Sequence, residues 1–232
     1  MEKKKQYPSV TSLKGLFILL IVLHNTLSLN HLLESVPGTA FIRLYGGQLG
    51  DSVFFMLSGF LFAHSYLERI RSGDVSFQQF MLRRMQKLYP LYLITNVAAL
   101  GIYWLQYGIG AVPLKKTAFT LLLQMGGGLE KGVPYNAPTW FLSALFVCYI
   151  AFFAIVCHAK KPTQYFCSIA LAIAWGYFLS GDNLDVPFCF EGNGTAFLNF
   201  FLGCAIASLL PMVNGKMSRW LRPACLLGVC FM

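Results

Sequence analysis

The sequence predicts an all-α protein, a polytopic transmembrane helix bundle with about eight helices. Hydrophobic residues make up 56% of the 232-residue chain and charged residues only 12%, whereas a soluble domain carries about 25% charged residues. Several apolar stretches approach the ~20 residues that cross a bilayer. Lysine and arginine gather between these stretches and give a formal net charge of +9, as expected when basic residues mark the cytoplasmic side. We therefore treat residues 1–232 as one integral-membrane domain.

The first predicted helix covers residues 10–29 and follows three consecutive lysines at 3–5. A basic start before an apolar run is also typical of a signal peptide, but no small-residue cleavage site follows here. We therefore expect an uncleaved first helix.

The second predicted helix covers residues 49–67 and includes the most informative stretch of the chain, GDSVFFMLSGFLFAHSY at 50–66. This stretch is apolar apart from a notch at Ser58 and Gly59, where another helix or a ligand can approach closely. Asp51 and Ser52 open the predicted helix, so capping is the simplest role for both.

The third predicted helix covers residues 88–107, with Pro90 in its first turn, where proline is tolerated. Segment 68–87 before it is polar and basic, and we expect a loop. The next apolar stretch, 114–125, would cover only about 18 Å as a helix, so we expect it to cross half of the bilayer or to tilt. The remaining predicted helices cover residues 139–158, 165–179 and 195–210, and an eighth begins near residue 219 and is cut off at the end of the chain.

Basic segments predict the orientation of a multi-pass protein of the cell membrane with a cytoplasmic N-terminus. The Lys160-Lys161 pair fits this orientation only if segment 114–125 fails to cross, or if the pair lies outside. The other segments predicted to be cytoplasmic are 3–5, 69–87 and 216–222, and those predicted to face outward are 30–48 and 180–194.

Composition also limits the partners. A basic surface at a membrane can meet lipid head groups or a polyanionic cofactor. Nucleic acid is a poor partner, because the basic residues are tied to helix ends and no soluble binding module is evident. The seven cysteines form no CxxC pair and lie mostly in apolar runs, where cysteine acts as a small hydrophobe. The sequence therefore predicts neither a disulfide framework nor a metal site.

His24 is the first candidate for chemistry. It follows Lys14 by ten residues, about 15 Å along a helix, so a lysine that reaches the cytoplasmic interface leaves the histidine deep in the membrane. An ionisable residue at that depth faces a cavity or a partner. Two interpretations stay open: a neutral imidazole that takes a proton from a hydroxyl as a general base, and a histidine that bonds to a neighbouring helix as part of the packing.

Three cations, Arg83, Arg84 and Lys87, precede the predicted start of the third helix. Together with the free N–H groups of a helix N-terminus, they can hold a phosphate at the cytoplasmic surface. An ordinary positive-inside loop on anionic lipid is the more common alternative. Asp51 could also orient a sugar hydroxyl or His24. The candidates for acceptor contact or structural support are Asp51, Ser58 and Trp140, and for Trp140 packing or interface anchoring is the simpler role.

Five segments follow one another along the chain in a recognisable order. They are LKG…LH at 13–24, GDSVFFMLSGFL at 50–61, FMLRR…YPLY at 80–92, PTWFLSAL at 138–145 and FLGC at 201–204. This order resembles the membrane-bound acyltransferase 3 family over nearly the whole chain. The second and third segments are the most specific parts of the resemblance.

The resemblance implies an O-acyltransferase that uses cytoplasmic acetyl-CoA as co-substrate, with no bound cofactor. The implied acceptor is a hydroxyl on a surface glycan, a lipid-linked saccharide or an antibiotic. The family's catalytic histidine corresponds to His24, and its functional cations to Lys14 and to Arg83, Arg84 or Lys87. The family usually has about ten helices, so we expect two or three helices to be missing from this chain.

Lys14 departs from the family pattern, which commonly has an arginine one residue further from the histidine. Lysine cannot form a bidentate fork to phosphate. A spacing of ten residues also rotates the two side chains apart by about 80°. The role of the family's arginine therefore does not transfer directly to Lys14.

Two other functions stay open. A transporter or flippase would line its path with Lys14 and His24, although no repeat relates the two halves of the chain. A truncated or inactive relic that only packs in the membrane is the remaining alternative.

Overall fold

The computed structural model describes residues 8–29, 39–181 and 184–212, and over these ranges the chain is all-α, as predicted. Three of its helical segments are long and apolar enough to cross a membrane: Phe77–Tyr107, Ala137–His158 and Glu191–Leu209. The helix predicted from residue 219 lies outside the described residues. The α-helices are α1 (Pro8–Leu29), α2 (Thr39–Arg71), α3 (Phe77–Tyr107), α4 (Leu114–Leu121), α5 (Trp140–His158), α6 (Pro162–Gly181) and α7 (Glu191–Leu209), with short 3-10 turns at Ile109–Ala111, Ala137–Thr139 and Leu210–Met212.

The start of α2 differs from the prediction. The helix begins at Thr39 instead of residue 49, so the predicted capping role of Asp51 and Ser52 is wrong, and both lie about three turns inside the helix. Gly46 and Gly47 suggested a loop, because glycine usually interrupts helices. Here α1 packs against these glycines, and the gain from tertiary packing outweighs their low helix propensity.

The predicted basic loop at 68–87 is also wrong. Only residues 72–76 lie outside helices, and α3 begins at Phe77. The Ser76 hydroxyl oxygen accepts a hydrogen bond from the backbone N–H of Gln79 at 3.3 Å and so caps the helix start. Arginine, lysine and glutamine favour helices, so charge alone does not indicate a loop. Pro90 consequently lies inside α3 instead of in its first turn.

The first turn of α7 was missed in the same way. Residues 191–194 were predicted to belong to a loop, but α7 begins at Glu191. At α6 the predicted bounds were also too narrow, since the helix covers Pro162–Gly181. The bounds of α5 match the prediction to within one residue.

Helix α2 is the central element of the bundle. It runs parallel to α7, since Gly59 lies beside the Phe200 backbone and Leu67 lines the same cleft as Ala207, and antiparallel to α1. It also runs parallel to α5, since Phe55 lies beside Trp140 and, further along both helices, the ring of Phe62 stacks on that of Tyr149 at 4.4 Å between centroids. Rings from α2, α3, α5 and α7 form the buried core: Phe62, Phe80, Tyr149, Phe152 and Phe200.

Helix α4 returns toward the middle of α3 instead of crossing the bundle. It has eight residues, about 12 Å of helix. The hydroxyls of Tyr89 and Tyr92 donate to the carbonyls of Leu121 and Thr120, both at 2.6 Å. The bond to Leu121 satisfies a carbonyl at the end of α4, and the Thr120 carbonyl also accepts from the Leu123 N–H at 3.0 Å. The helix ends at Leu121, four residues before the end of the predicted segment 114–125, so it is shorter still than the half-crossing or tilted helix that we expected.

Several cations of α2 and of the segment before α6 lie at one end of the bundle. The Arg71 guanidinium lies 5.1 Å from the ring centroid of Tyr165, and the Tyr165 N–H donates to the Lys161 carbonyl. Lys160 and Lys161 thus lie at the same end as Arg71, as the positive-inside pattern requires. We call this end, formed by the last turns of α2, α5 and α7 and the first turns of α3 and α6, the basic end.

Gly59→Ala tests the contact between α2 and α7. An added Cβ would collide with the Phe200 carbonyl oxygen, so we expect the free energy of unfolding to fall by about 1–3 kcal/mol. Thermal unfolding in detergent, followed by circular dichroism, measures this loss. Gly101→Ala is the matched control, because nothing lies within 4 Å of the added Cβ there. Equal melting temperatures for the two variants would contradict the packing described.

Candidate functional site

His24 lies where α1 packs against α2. Its Nδ1 atom lies 3.0 Å from the carbonyl oxygen of Ile42. A carbonyl oxygen only accepts hydrogen bonds, so in this contact Nδ1 carries the proton and donates. In the neutral ring Nε2 is then the unprotonated nitrogen. His24 can therefore bond to α2 as part of the packing and still have one ring nitrogen, Nε2, that can take a proton.

The other ring nitrogen faces a niche that only glycine can provide. A Cβ added at Gly47 would lie 2.6 Å from His24 Nε2, which is too close for any side chain. One turn further along the same face of α2 is Asp51. Its carboxylate lies near enough to His24 for an electrostatic interaction. The α1–α2 contact thus brings together a histidine and a carboxylate that the sequence named separately.

Arg84 lies in a cage of three aromatic rings. Its guanidinium carbon is 4.9 Å from the centroid of Phe62, 5.0 Å from that of Tyr66 and 5.3 Å from that of Tyr149. Each ring face attracts a cation. The buried Nε–H of Arg84 has no acceptor among the described residues. The cage therefore fixes the plane of the guanidinium and leaves hydrogen-bonding capacity for an anion.

The structure separates the three predicted phosphate ligands. Arg83 and Lys87 are exposed and share one face of α3, whereas Arg84 points into the bundle. The predicted location beside a helix N-terminus is wrong, because α3 begins at Phe77 and Arg83 lies about 9 Å further along its axis. Free N–H groups of the first turn therefore do not add to this cluster.

His24 and Arg84 lie at different levels of α2. Gly47 marks the level of the histidine and Phe62 that of the arginine, and these 15 residues span about 22 Å of helix. Ser58 lies between these two levels of α2. It shares a face with Gly47, because side chains 11 residues apart in a helix point in directions only about 20° apart. Ser58 is 7% exposed, and its buried hydroxyl has no partner among the described residues.

The backbone of Lys14 also lies between the two levels. Because α1 runs antiparallel to α2, with Ile21 beside Gly50, its earlier residues lie closer to the basic end. Ten residues before His24 correspond to about 15 Å, which is near the level of Ser58. The side chain of Lys14 lies outside what the structure describes.

Trp140 packs at the start of α5. Its ring centroid is 6.2 Å from that of Phe55, and a Cβ added at Gly192 would collide with it. Trp140 therefore joins α2, α5 and α7, in line with the predicted packing role. The ring cage around Arg84 was missed. One signal for it is the i, i+4 spacing of Phe62 and Tyr66, which puts two rings on one helix face.

A family model described as an acyltransferase domain, that of the acyltransferase 3 family, matches residues 7–232. The chain belongs to the acyltransferase 3 family. It is also 29% identical over 177 residues to the acyltransferase MdmB of Streptomyces mycarofaciens. This match covers 72% of the chain and 44% of the relative, so the chain spans less than half the length of the curated relative it matches. No solved structure matches the chain. The resemblance drawn from the motifs is thereby confirmed.

The hydrogen bond to Ile42 makes a prediction about the proton on His24. We expect protein labelled with 15N-histidine to give, for the neutral His24 ring, a protonated Nδ1 and an unprotonated Nε2 in its NMR spectrum. Comparison with His24→Asn assigns the signals among the four histidines of the chain. A neutral ring with its proton on Nε2 would contradict the arrangement.

Proposed function

We propose that the whole protein is a membrane O-acyltransferase in which His24 is the general base. It transfers an acetyl or similar short acyl group from acyl-CoA to a hydroxyl of a cell-surface glycan or lipid-linked saccharide. The observation that carries the proposal is the His24 ring in its glycine niche. Nδ1 donates to Ile42, Nε2 faces Gly47, and Asp51 interacts with the ring. Family membership supports the reaction class.

The acyl-CoA phosphates bind at the basic end in this proposal. Arg83 and Lys87 are exposed in the second and third turns of α3, and Arg84 is held by its rings with an Nε–H that has no acceptor among the described residues. Arginine offers a planar fork that matches phosphate. The levels of Arg84 and His24 lie about 22 Å apart along α2. The pantetheine arm of CoA is long and carries the thioester at its far end, so it is suited to span this distance. Ser58, whose hydroxyl has no partner among the described residues, lies along this route.

The proposed reaction uses the unprotonated Nε2 of the neutral His24 ring. Nε2 of His24 takes the proton of the acceptor hydroxyl as its oxygen attacks the thioester carbonyl. The tetrahedral intermediate collapses with cleavage of the carbon–sulfur bond, and the CoA thiolate takes a proton from the imidazolium. Asp51 stabilises the positive ring between these steps, as a carboxylate beside a histidine does in other acyl transfers. Lys14, between the two levels, is a further candidate for contact with CoA.

The proposal gives the bundle an orientation. The basic end faces the cytoplasm with the N-terminus, because basic residues gather on that side and acyl-CoA is supplied there. The niche of His24 lies toward the opposite end of α2, nearer an acceptor on the outer side. The acyl group therefore crosses much of the bilayer on the pantetheine arm before transfer.

His24→Gln tests the role of the base. We expect transfer of labelled acetyl groups by the whole protein to fall at least about 10²-fold, the usual contribution of a general base, while binding of acetyl-CoA is retained. His158→Gln is the matched control, since that histidine is exposed at the end of α5 and bonds to the Ala154 carbonyl. Transfer that survives His24→Gln at the rate of the control would refute the assignment.

Arg84→Lys tests the donor site, because lysine keeps the charge but loses the planar fork. We expect KM for acetyl-CoA to rise about tenfold with little change in kcat, as for a residue that binds the donor equally in the ground and transition states. The double variant Arg83→Gln/Lys87→Gln should act in the same direction. The control Lys116→Gln removes an α4 cation that lies over Tyr135, away from the basic end. If the control raised KM as much as Arg84→Lys, the effect would be one of net charge and the donor site would lie elsewhere.

A further inference from the structure

A cleft opens at the basic end, on the side of α2 that faces α6 and α7. It has a volume of about 250 Å³, several times the ~30 Å³ that one water occupies in the liquid. The last residue of α2, Arg71, the first residue of α6, Pro162, and Pro211, just beyond α7, lie at its rim. Helix ends of a membrane bundle lie at the interface with the head groups, so the cleft opens at that depth.

The walls of the cleft change from polar to apolar. Arg71 and Tyr165 line the part near the helix ends, whereas Leu67, Phe166 and Ala207 line its remaining wall. A ligand with an anionic head and an apolar tail matches this division. Lys160 and Lys161 are exposed and immediately precede α6, so they add positive charge beside the polar part.

Arg71 is held in place for an anion. Its guanidinium lies over the ring of Tyr165 at 5.1 Å from the centroid, which fixes the plane of the fork. Tyr165 is itself positioned, since its hydroxyl pairs with that of Ser208 at 3.1 Å and Ser208 donates to the Cys204 carbonyl. Arg71 therefore offers a planar set of donors that Tyr165 holds in place.

The acid beside Arg71 does not neutralise it effectively. Glu68 accepts from Nη1 at 3.3 Å, and its side chain is 82% exposed. Exposed pairs of this kind contribute little and are screened by salt. His64 also lines the cleft and stacks on Phe60 with a centroid distance of 6.4 Å. The formal charges of Arg71 and Glu68 cancel, so the positive character beside the cleft comes from the exposed Lys160 and Lys161.

We propose that this cleft binds the head group of an anionic phospholipid, with the phosphate on Arg71 and an acyl chain along Leu67 and Phe166. Basic clefts between transmembrane helices on the cytoplasmic side bind such head groups in general. The bound lipid would join α2, α6 and α7 at their ends. This site is separate from the donor cations Arg83, Arg84 and Lys87, which lie on α3.

Photo-crosslinking tests the proposal on the unmodified whole protein. Delipidated protein in detergent is labelled with a photoactivatable phosphatidylglycerol, and the adducts are mapped by mass spectrometry. We expect adducts in peptides that contain residues 63–71 and 162–166. Unlabelled phosphatidylglycerol should compete, whereas phosphatidylcholine and inorganic phosphate should not. Equal competition by phosphatidylcholine or by inorganic phosphate, or adducts only elsewhere, would overturn the proposal, as would a cleft closed by protein in the whole molecule.

Arg71→Gln measures the contribution of the cation. We expect the affinity for phosphatidylglycerol, read from the rise in melting temperature with added lipid, to fall about tenfold or more on loss of the charge-assisted bonds. Arg69→Gln is the matched control at the same end of α2, where the guanidinium lies over Tyr66 instead. If Arg71→Gln does not fold, Arg71→Lys keeps the charge and should still lower the affinity. Equal losses in the control and the Arg71 variant would assign the binding to general charge and overturn the specific site.

Discussion

The fold depends on how closely other helices approach α2. Gly47 leaves room for the His24 ring of α1, and Gly59 leaves room for the Phe200 backbone of α7. A side chain at either glycine would move a neighbouring helix, because both contacts are already at van der Waals distance. Helix α2, which makes both contacts, also contributes to the aromatic core and to the basic end. The same helix also sets the positions of His24, which packs at Gly47, and of Arg84, which packs at Phe62.

One consequence is that His24 of α1 and the caged Arg84 of α3 both contact α2, at Gly47 and at Phe62. Asp51 and Ser58 lie between the levels of Gly47 and Phe62 on nearly the same face of α2. The backbone of α2 sets the distance between the two centres, about 22 Å, and in the proposed reaction this distance favours a donor whose reactive end is far from its phosphates.

The fold class and most helices follow from the sequence because apolar runs of membrane length are a strong signal. The starts of α2 and α3 do not follow from the sequence. Considered within their own segments, the glycines at 46 and 47 and the cations at 83, 84 and 87 predict loops. In the bundle, packing against α1 and the cap by Ser76 extend both helices. His24, Asp51 and Arg84 were identifiable as candidates. The cage around Arg84 was not, because its rings come from two helices whose register appears only in the folded chain.

The most direct test of the account is a structure of the whole protein with a non-reactive thioether analogue of acetyl-CoA, determined by cryo-electron microscopy. The account predicts the phosphates on Arg83, Arg84 and Lys87 and the arm along the Ser58 face of α2. It also predicts the acyl end within hydrogen-bonding reach of His24 Nε2. An analogue bound with its acyl end away from the Gly47 niche, or with its phosphates away from the arginine cage, would contradict it.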